Sequence, residues 1–443
     1  MINDPAIKRD LKNKCHKMTL FMAYKMDYKN YSDISFIKKG INELAKLTEP
    51  NRPYTRLVFS NEFYQAREWL HKEYLSLGLS ISTDEAGNLI GLLESKLNTD
   101  NVVIIGSHLD TVPAGGRYDG IAGVVSGLNV IKYIIEKNIE LPFNLAVYDY
   151  LGEELNSWGV SCIGARGIGG FLNKDILNRI DSYGRVLCQE IDKIGGDSNL
   201  LSGPLSKIKN IVACLELHIE QGKVLEKNNL EIGIVRSIPN ISRHHVIIKG
   251  QAGHSGTVLM NERVDALVVA SELIIYVNSI ALEISMESNS HFVATVGKID
   301  VYPNSATIIP GAIDLTIDLR SVSDIAREKF LDGIKNKLIF LEKKYECELH
   351  INDLAFAPYV EMDKKINLLF KKSCDYFNLS SKLIDSGAGH DTAHLARVAP
   401  ASMIFIPCKG GLSHCPEEFA KLDDIAKGTA VITKLVLGLA KIN

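Results

Sequence analysis

The chain has 443 residues, more than one hydrophobic core usually supports, so two domains are expected and three are possible. With 46% hydrophobic and 23% charged residues, the composition is typical of a folded globular protein and excludes a disordered chain. The formal net charge of −3 provides no long-range attraction for nucleic acid or for an acidic membrane, which favours a small-molecule partner.

The cysteine pattern, the length of the apolar runs and the composition of the first residues together predict where in the cell the protein is found. Eight cysteines are scattered without a CxxC pair, a pattern that favours reduced thiols and a cytoplasmic protein. No run approaches the roughly 18 apolar residues of a membrane span, so we expect no membrane partner. The first 30 residues or so are mildly basic and lack a small-residue cleavage site, which favours an N-terminal extension over a secretory signal.

The first part of the chain alternates between helical and strand patterns. Residues 32–100 contain two helical patterns followed by a strand pair around a Gly-Asn turn. Next come the strand NVVIIG, the helix GVVSGLNVIKYIIEK and the strands FNLAVYDY and VACLELHIE. A strand, a helix and a further strand in succession form a βαβ unit, which predicts an α/β fold with a mixed sheet covered by helices.

The pattern changes at about residue 240. Strands and two long helices then form a self-contained set, and strands with polar ends resume only near GAGHD and SMIFIPCKGGLSH. We therefore predict a catalytic domain over residues 1–238 plus 355–443, interrupted by a smaller α+β domain over residues 239–354.

Potential metal ligands occur where predicted strands run into loops. The loop GSHLDTVPAGGRYDG follows NVVIIG, and loops carry function more often than packing. Imidazole and carboxylate ligands together suit zinc or manganese, and a bridging carboxylate can hold two ions about 3.5–4 Å apart. Asp110 could orient the nearby imidazole through its other nitrogen. The candidate ligands are His108, Asp119, Glu154, His218 and His414.

Two adjacent carboxylates, Glu153 and Glu154, follow the strand FNLAVYDY. Such a pair is ordinary at the solvated start of a helix, where acidic residues favour the helix dipole. In a metal site, one carboxylate binds the ion and the other takes a proton from water. The spacing alone leaves open which residue does which.

Six segments, in order, resemble the hydantoinase/carbamoylase branch of the M20 metallohydrolases: GSHLDTVPAGGRYDG, EELNSWGVSCIGARG, LELHIEQG, AGHSGT, SGAGHD and GGLSHCPEE. The similarity extends from about residue 35 to the end of the chain. It implies a two-metal amidohydrolase with an inserted lid and dimerisation domain, and a homodimer. The expected reaction is hydrolysis of an N-carbamoyl-L-amino acid to the amino acid, carbon dioxide and ammonia.

The resemblance also implies residue roles. The metal ligands are the five residues named above, with Asp119 as the bridge and Glu153 as the general base. His254 corresponds to a histidine that stabilises the tetrahedral intermediate, and Arg320 to the arginine that binds the substrate carboxylate. Gln221 corresponds to a glutamine that contacts the substrate, and His390 to a further histidine of the substrate-binding site.

Two departures from the family pattern concern the substrate. Thr307, in TIIPG, occupies the position of a substrate-binding asparagine and lacks the donors of an amide. EELNSWG replaces the usual Glu-Glu-Gly-Ser-Arg-Phe-Gly, which places Leu155, Ser157 and Trp158 beside the base. Allantoate hydrolysis and aminoacylase or dipeptidase activity therefore stay open as alternatives, as does a metal-dependent ligand-binding protein without catalysis.

Overall fold

The structure, a computed structural model, describes residues 27–201, 203, 210–288 and 290–442. Nearly all of the predicted N-terminal extension lies outside these residues. The strands are β1 (Ser80–Thr83), β2 (Leu89–Leu93), β3 (Val102–Ser107), β4 (Asn144–Asp149), β5 (Ile211–Ile219), β6 (Ile232–Ile238), β7 (Asn240–Lys249), β8 (Gly253–His254), β9 (Phe292–Tyr302), β10 (Ile308–Ile309), β11 (Ala312–Ser321), β12 (Glu348–Ala357), β13 (Val360–Glu361), β14 (Ser381–Asp385) and β15 (Ala401–Ile406).

The α-helices are α1 (Ile34–Leu44), α2 (Asn61–Ser76), α3 (Ile121–Glu136), α4 (Ile163–Gly169), α5 (Lys174–Leu177), α6 (Leu187–Lys193), α7 (Val224–Asn228), α8 (Ala266–Glu287), α9 (Asp324–Tyr345), α10 (Lys364–Tyr376), α11 (Asp391–Leu395) and α12 (Leu422–Leu439). Several helices begin at a side chain that accepts main-chain N–H groups, as Ser60 does for α2 and Asp363 for α10.

The described chain forms two compact units. The first comprises the residues up to Ile234, Asp363–Leu383 and the residues from His394 onward; the second comprises Val235–Met362 and Ile384–Ala393. The second unit thus begins slightly before the predicted boundary and also takes in a short later segment. That segment belongs there because Ser386 N donates to Ser237 O at 2.9 Å and Arg236 pairs with Asp385.

The first unit is built on a mixed sheet in the order β1-β2-β4-β3-β5-β15-β6. The four central strands β4, β3, β5 and β15 run parallel, whereas β1, β2 and β6 pair with their neighbours antiparallel. Val103, Ile104 and Ile105 of β3 are fully buried, as expected for a parallel strand that is covered on both faces. Among the covering helices, α3 connects β3 to β4 and packs against α1 and α12. The predicted mixed α/β fold is confirmed.

The second unit contains a four-stranded antiparallel sheet in the order β12-β7-β11-β9 and a separate ribbon of β8 and β10. Burial alternates along β11, where Ile313, Leu315, Ile317 and Leu319 point into a core shared with α8 and α9. This alternation is the period-two pattern of a sheet that is packed on one face.

Candidate metal and catalytic site

The parallel strands of the first unit bring the predicted ligands to one edge of its sheet. His108 follows the last residue of β3, Glu154 lies in the loop after β4, and His218 is near the end of β5. The carboxyl ends of parallel strands meet at the same edge, where open α/β sheets bind their ligands. Polar residues that are far apart in the sequence therefore converge there.

Asp119 is the centre of the site. Its Oδ1 lies 2.9 Å from His218 Nε2 and 3.6 Å from His108 Nε2, and its Oδ2 lies 3.2 Å from His414 Nε2. Glu154 Oε1 is 3.3 Å from the same nitrogen of His414. The ligand atoms thus form two groups, His108 with His218 and Glu154 with His414, and Asp119 belongs to both.

A glycine permits the turn that brings Asp119 to His108. Gly120 has a φ of +66°, and a Cβ at this position would lie 2.5 Å from His108 Cε1 and from its carbonyl oxygen. Any larger residue would therefore clash with the ligand itself. His414 and Gln221 also have positive φ, 56° and 57°, a strained conformation that occurs often at functional sites.

The donor set fits a cation. Burial alone would raise the pKa of Asp119, but the surrounding histidines hold it well below its usual range. Hydrogen bonds to Asp119 and Glu154 raise the pKa of His414 to about 11. Burial alone would lower the pKa of His218, but Asp119 raises it to about 9. Buried His108 Nε2 has no hydrogen-bond partner among the residues that the structure describes, since the carboxylate oxygens of Asp119 and Glu153 are 3.6 and 3.7 Å away. This arrangement favours positive charge between the imidazoles and carboxylates, which a divalent ion supplies.

Glu153 and Glu154 point to different parts of the site. Glu153 Oε2 lies 3.7 Å from His108 Nε2, whereas Glu154 faces His414. Burial, and after it the neighbouring carboxylates, raise the pKa of Glu153 to about 8, although His108 opposes the shift. Glu154 is a member of one ligand group, whereas Glu153 lies beside the groups, as a general base should.

The expectation that the Asp110 side chain orients the His108 imidazole differs from what the structure shows. Its main-chain carbonyl oxygen lies 3.0 Å from His108 Nδ1, whereas its carboxylate is 3.7 Å away. The carboxylate instead accepts hydrogen bonds from the main-chain N–H groups of Glu153 and Glu154, both at 3.1 Å. The carbonyl therefore orients the imidazole, because the side chain is engaged in positioning the glutamate pair.

Gln221 lies within the same cluster. Its Nε2 donates to Asp119 Oδ2 at 3.0 Å and to Ser413 Oγ at 3.2 Å. The side chain thus fixes the carboxylate of Asp119 in this structure, whereas the family resemblance implies that it contacts the substrate.

The remaining predicted residues belong to the second unit. Exposed His254, in β8, pairs with Ile308 of β10, and Ser255 N donates to Thr307 O at 3.0 Å, so His254 and Thr307 are neighbours in the ribbon. Arg320 Nη1 donates to Gly387 O at 3.2 Å. This bond brings Arg320 to the loop that carries buried His390.

The comparison with known families decides the assignment. The sequence profile of the family described as Peptidase family M20/M25/M40 matches residues 104–438, which include every predicted metal ligand. The chain belongs to this family. M20 proteins of this type are metal-dependent hydrolases, which confirms the predicted enzyme class and a metal site. The alternative of a protein that only binds a ligand is not supported.

Three similar proteins indicate to which branch of the M20 family the chain belongs. An N-carbamoyl-L-amino-acid amidohydrolase of Pseudomonas sp. (strain NS671) is 34% identical, with 90% of this chain and 93% of the relative covered. An allantoate amidohydrolase of Escherichia coli (strain K12) is 30% identical, with 88% and 94% covered. The crystal structure of a hydantoinase/carbamoylase family amidase from Burkholderia multivorans matches with a TM-score of 0.80, 29% identity and coverage of 93% and 98%. The predicted branch of the M20 family is thereby confirmed.

One residue of the candidate site, Glu418, is not predicted by the sequence. Buried Glu418 accepts hydrogen bonds from Tyr118 N at 2.7 Å and Asp119 N at 3.0 Å, and Ser413 Oγ donates to it at 2.7 Å. A Cβ at Gly116 would lie 1.9 Å from Glu418 Oε2, so the glycine makes room for this carboxylate. Glu418 ends the segment GGLSHCPEE, but its contacts with a loop 300 residues away leave no signal in local spacing.

We expect Glu418→Ala to weaken metal binding and lower the melting temperature. The variant leaves the main-chain N–H groups of Tyr118 and Asp119 without their acceptor. Each such loss costs about 1–3 kcal/mol. Metal titration and thermal unfolding measure the two effects. Glu417→Ala, which removes the neighbouring exposed glutamate, is the matched control. Equal behaviour of the two variants would contradict the role assigned to Glu418.

Proposed function

We propose that this chain hydrolyses an N-carbamoyl-L-amino acid to the amino acid, carbon dioxide and ammonia at a centre of two divalent ions. The observation that carries the proposal is the pair of ligand groups that share Asp119, with Glu153 beside them. The relative of Pseudomonas sp. bears this activity in its name. Either zinc or manganese suits the donors, because both accept imidazole and carboxylate ligands.

In the proposed reaction, each residue has a defined task. His108 and His218 would hold one ion and Glu154 and His414 the other, with the carboxylate of Asp119 shared between the two groups. Such ions, when bound, polarise the substrate carbonyl and make water acidic near neutral pH. Glu153 accepts a proton from the attacking water and delivers it to the leaving nitrogen. His254 stabilises the negative oxygen that develops, and Arg320 binds the substrate carboxylate through its planar fork of N–H groups.

Ammonia release by purified protein loaded with manganese or zinc tests this proposal. N-carbamoyl-L-amino acids, N-carbamoyl-β-alanine and allantoate are assayed separately, and metal analysis counts the ions per chain. We expect ammonia from N-carbamoyl-L-amino acids and two ions per chain. Ammonia from allantoate alone would select the activity named for the relative of E. coli. Release of amino acids from acyl-amino acids or dipeptides, without ammonia, would overturn the proposed substrate class.

The Arg320→Lys variant tests how the substrate is held. A lysine keeps the positive charge but loses the bidentate geometry, so we expect kcat/KM for carboxylated substrates to fall about tenfold or more. The same substrates with the carboxylate converted to an amide are the comparison, and their kcat/KM should change little. A uniform loss for both sets would show that Arg320 does not bind the carboxylate.

We further propose a homodimer formed through the second unit. Ile275, Leu282 and Met286 of α8 are 67%, 60% and 75% exposed, although the opposite face of this helix packs in the unit's core. Strand β9 is an edge strand that pairs only with β11 among the described residues, and unpaired edges favour strand addition. Helix α8 is also long and apolar enough for a membrane span, but one such helix is a weak indication. Light scattering should give a dimer for the native protein and a monomer for Leu282→Asp.

A cytoplasmic location and the absence of nucleic-acid and membrane partners are further parts of the proposal. None of the seven cysteines in the described part of the chain forms a disulfide, which agrees with a reducing compartment. Fractionation of source cells would check the location.

A further inference from the structure

Leu109 lies between His108 and Asp110 in the chain, and buried charged side chains bind its main-chain N–H and C=O groups. Leu109 N donates to Asp149 Oδ1 at 2.9 Å, and Arg56 Nε donates to Leu109 O at 2.6 Å. Asp149 is fully buried and Arg56 is 1% exposed. Because the main-chain N–H and C=O of Leu109 are both hydrogen-bonded away from water, the segment that carries His108 has little freedom to rotate.

Asp149 is itself fixed by Arg67, which extends from α2. Arg67 Nε donates to Asp149 Oδ2 at 2.7 Å, and Arg67 Nη1 donates to Gly87 O at 2.7 Å. The guanidinium carbon also lies 4.7 Å from the ring centre of Phe63. A buried ion pair adds little net stability, because desolvation offsets most of the attraction. The pair does, however, define the direction in which Asp149 Oδ1 points, which is toward Leu109.

The same residues connect the two loops of the metal site. Asp149 is the last residue of β4, and Glu153 and Glu154 follow it along the chain. Asp149 binds the His108 loop through Leu109 N, and that loop binds back through Asp110, whose carboxylate accepts the N–H groups of both glutamates. The strand end, the His108 loop and the glutamate pair therefore form a closed ring of two chain segments, 109–110 and 149–154, joined by two side-chain bridges.

We propose that Asp149, oriented by Arg67, is a positioning residue that sets the distance between His108 and the Glu153–Glu154 pair, and so the affinity of the metal centre. The inference rests on the proposed function, since it assumes that these residues enclose the ions. Groups that orient metal ligands typically change metal affinity by about 10- to 100-fold when they are removed. We expect an effect of that size when the bond from Asp149 to Leu109 is lost.

Two double variants separate this bond from the buried charge. Arg67→Met/Asp149→Asn and Arg67→Met/Asp149→Leu both remove the ion pair, but only asparagine keeps an oxygen that can accept the N–H of Leu109. Competition with a chelator of known affinity measures metal binding without substrate, and thermal unfolding of the metal-free proteins measures stability. We expect a metal dissociation constant at least about tenfold higher for the leucine variant than for the asparagine variant. If the leucine variant does not fold, Asp149→Val in the same background replaces it.

The outcomes distinguish this inference from the proposed function. Equal metal affinities of the two double variants, with a native protein that binds metal and releases ammonia, would overturn the positioning role alone. Lower stability of the leucine variant with unchanged metal affinity would also overturn it, because Asp149 would then act only on the fold. A native protein that binds no divalent metal would overturn the proposed function and this inference together.

Discussion

We expect the Glu153→Gln variant to bind divalent metal as the native protein does and to turn over at least about 100-fold more slowly. Glutamine has nearly the shape of glutamate but cannot accept a proton from the attacking water. Glu153 lies outside the two ligand groups, so its replacement leaves their donor atoms in place. Metal analysis together with kcat and KM for the best ammonia-releasing substrate measures the effect. We expect the loss mainly in kcat, because proton transfer belongs to the chemical step.

The neighbouring glutamate provides the contrast. Glu154 Oε1 lies 3.3 Å from His414 Nε2, so Glu154→Gln should lower metal occupancy as well as turnover. Exposed Glu417→Gln is the control for the substitution itself and should change neither quantity. A near-native rate for Glu153→Gln would exclude Glu153 as the general base. Loss of metal by Glu153→Gln but not by Glu154→Gln would mean that the two glutamates have exchanged roles.

The sequence predicts the ligand set because each member depends on a local pattern. His108, Glu154 and His218 lie at or just after apolar runs that become parallel strands, and parallel strands end at one edge. Asp119 is recognisable from the glycines around it, since a loop of this kind can turn back on itself. Local pattern is therefore sufficient to bring these residues together as a candidate site, and the family resemblance supplies their proposed roles.

Contacts made across the fold could not be predicted in this way. The expected bond from Asp110 to His108 follows from their spacing, but the carboxylate is drawn to the N–H groups of Glu153 and Glu154. Glu418 supports Asp119 from the far end of the chain. Asp149 is the last residue of an apolar strand, and only its partners in space reveal a charged residue with a specific task. These residues act through tertiary hydrogen bonds, which leave no periodicity in the sequence.

The second large effect is expected for Asp119→Asn, which should reduce the bound metal to one ion or fewer per chain and lower kcat/KM by about 1,000-fold or more. Asp119 provides an oxygen to each ligand group, and asparagine replaces one of these oxygens with an NH2 group that repels a cation. Metal ions contribute several kcal/mol to stabilising charge in such reactions, and each 1.36 kcal/mol corresponds to tenfold in rate. Metal analysis after dialysis and the ammonia assay measure the two effects.

The control for Asp119→Asn is Asp100→Asn, which changes an exposed aspartate and should have no effect. Circular dichroism of the metal-free variant should match that of the native protein, because His108, His218 and His414 retain their positions at the ends of the strands and in the loops. If the variant kept two ions and full activity, a bridging role for Asp119 would be excluded. If it kept one ion and a fraction of the activity, the two ligand groups would be shown to act separately, with the bridge needed only to hold the second ion.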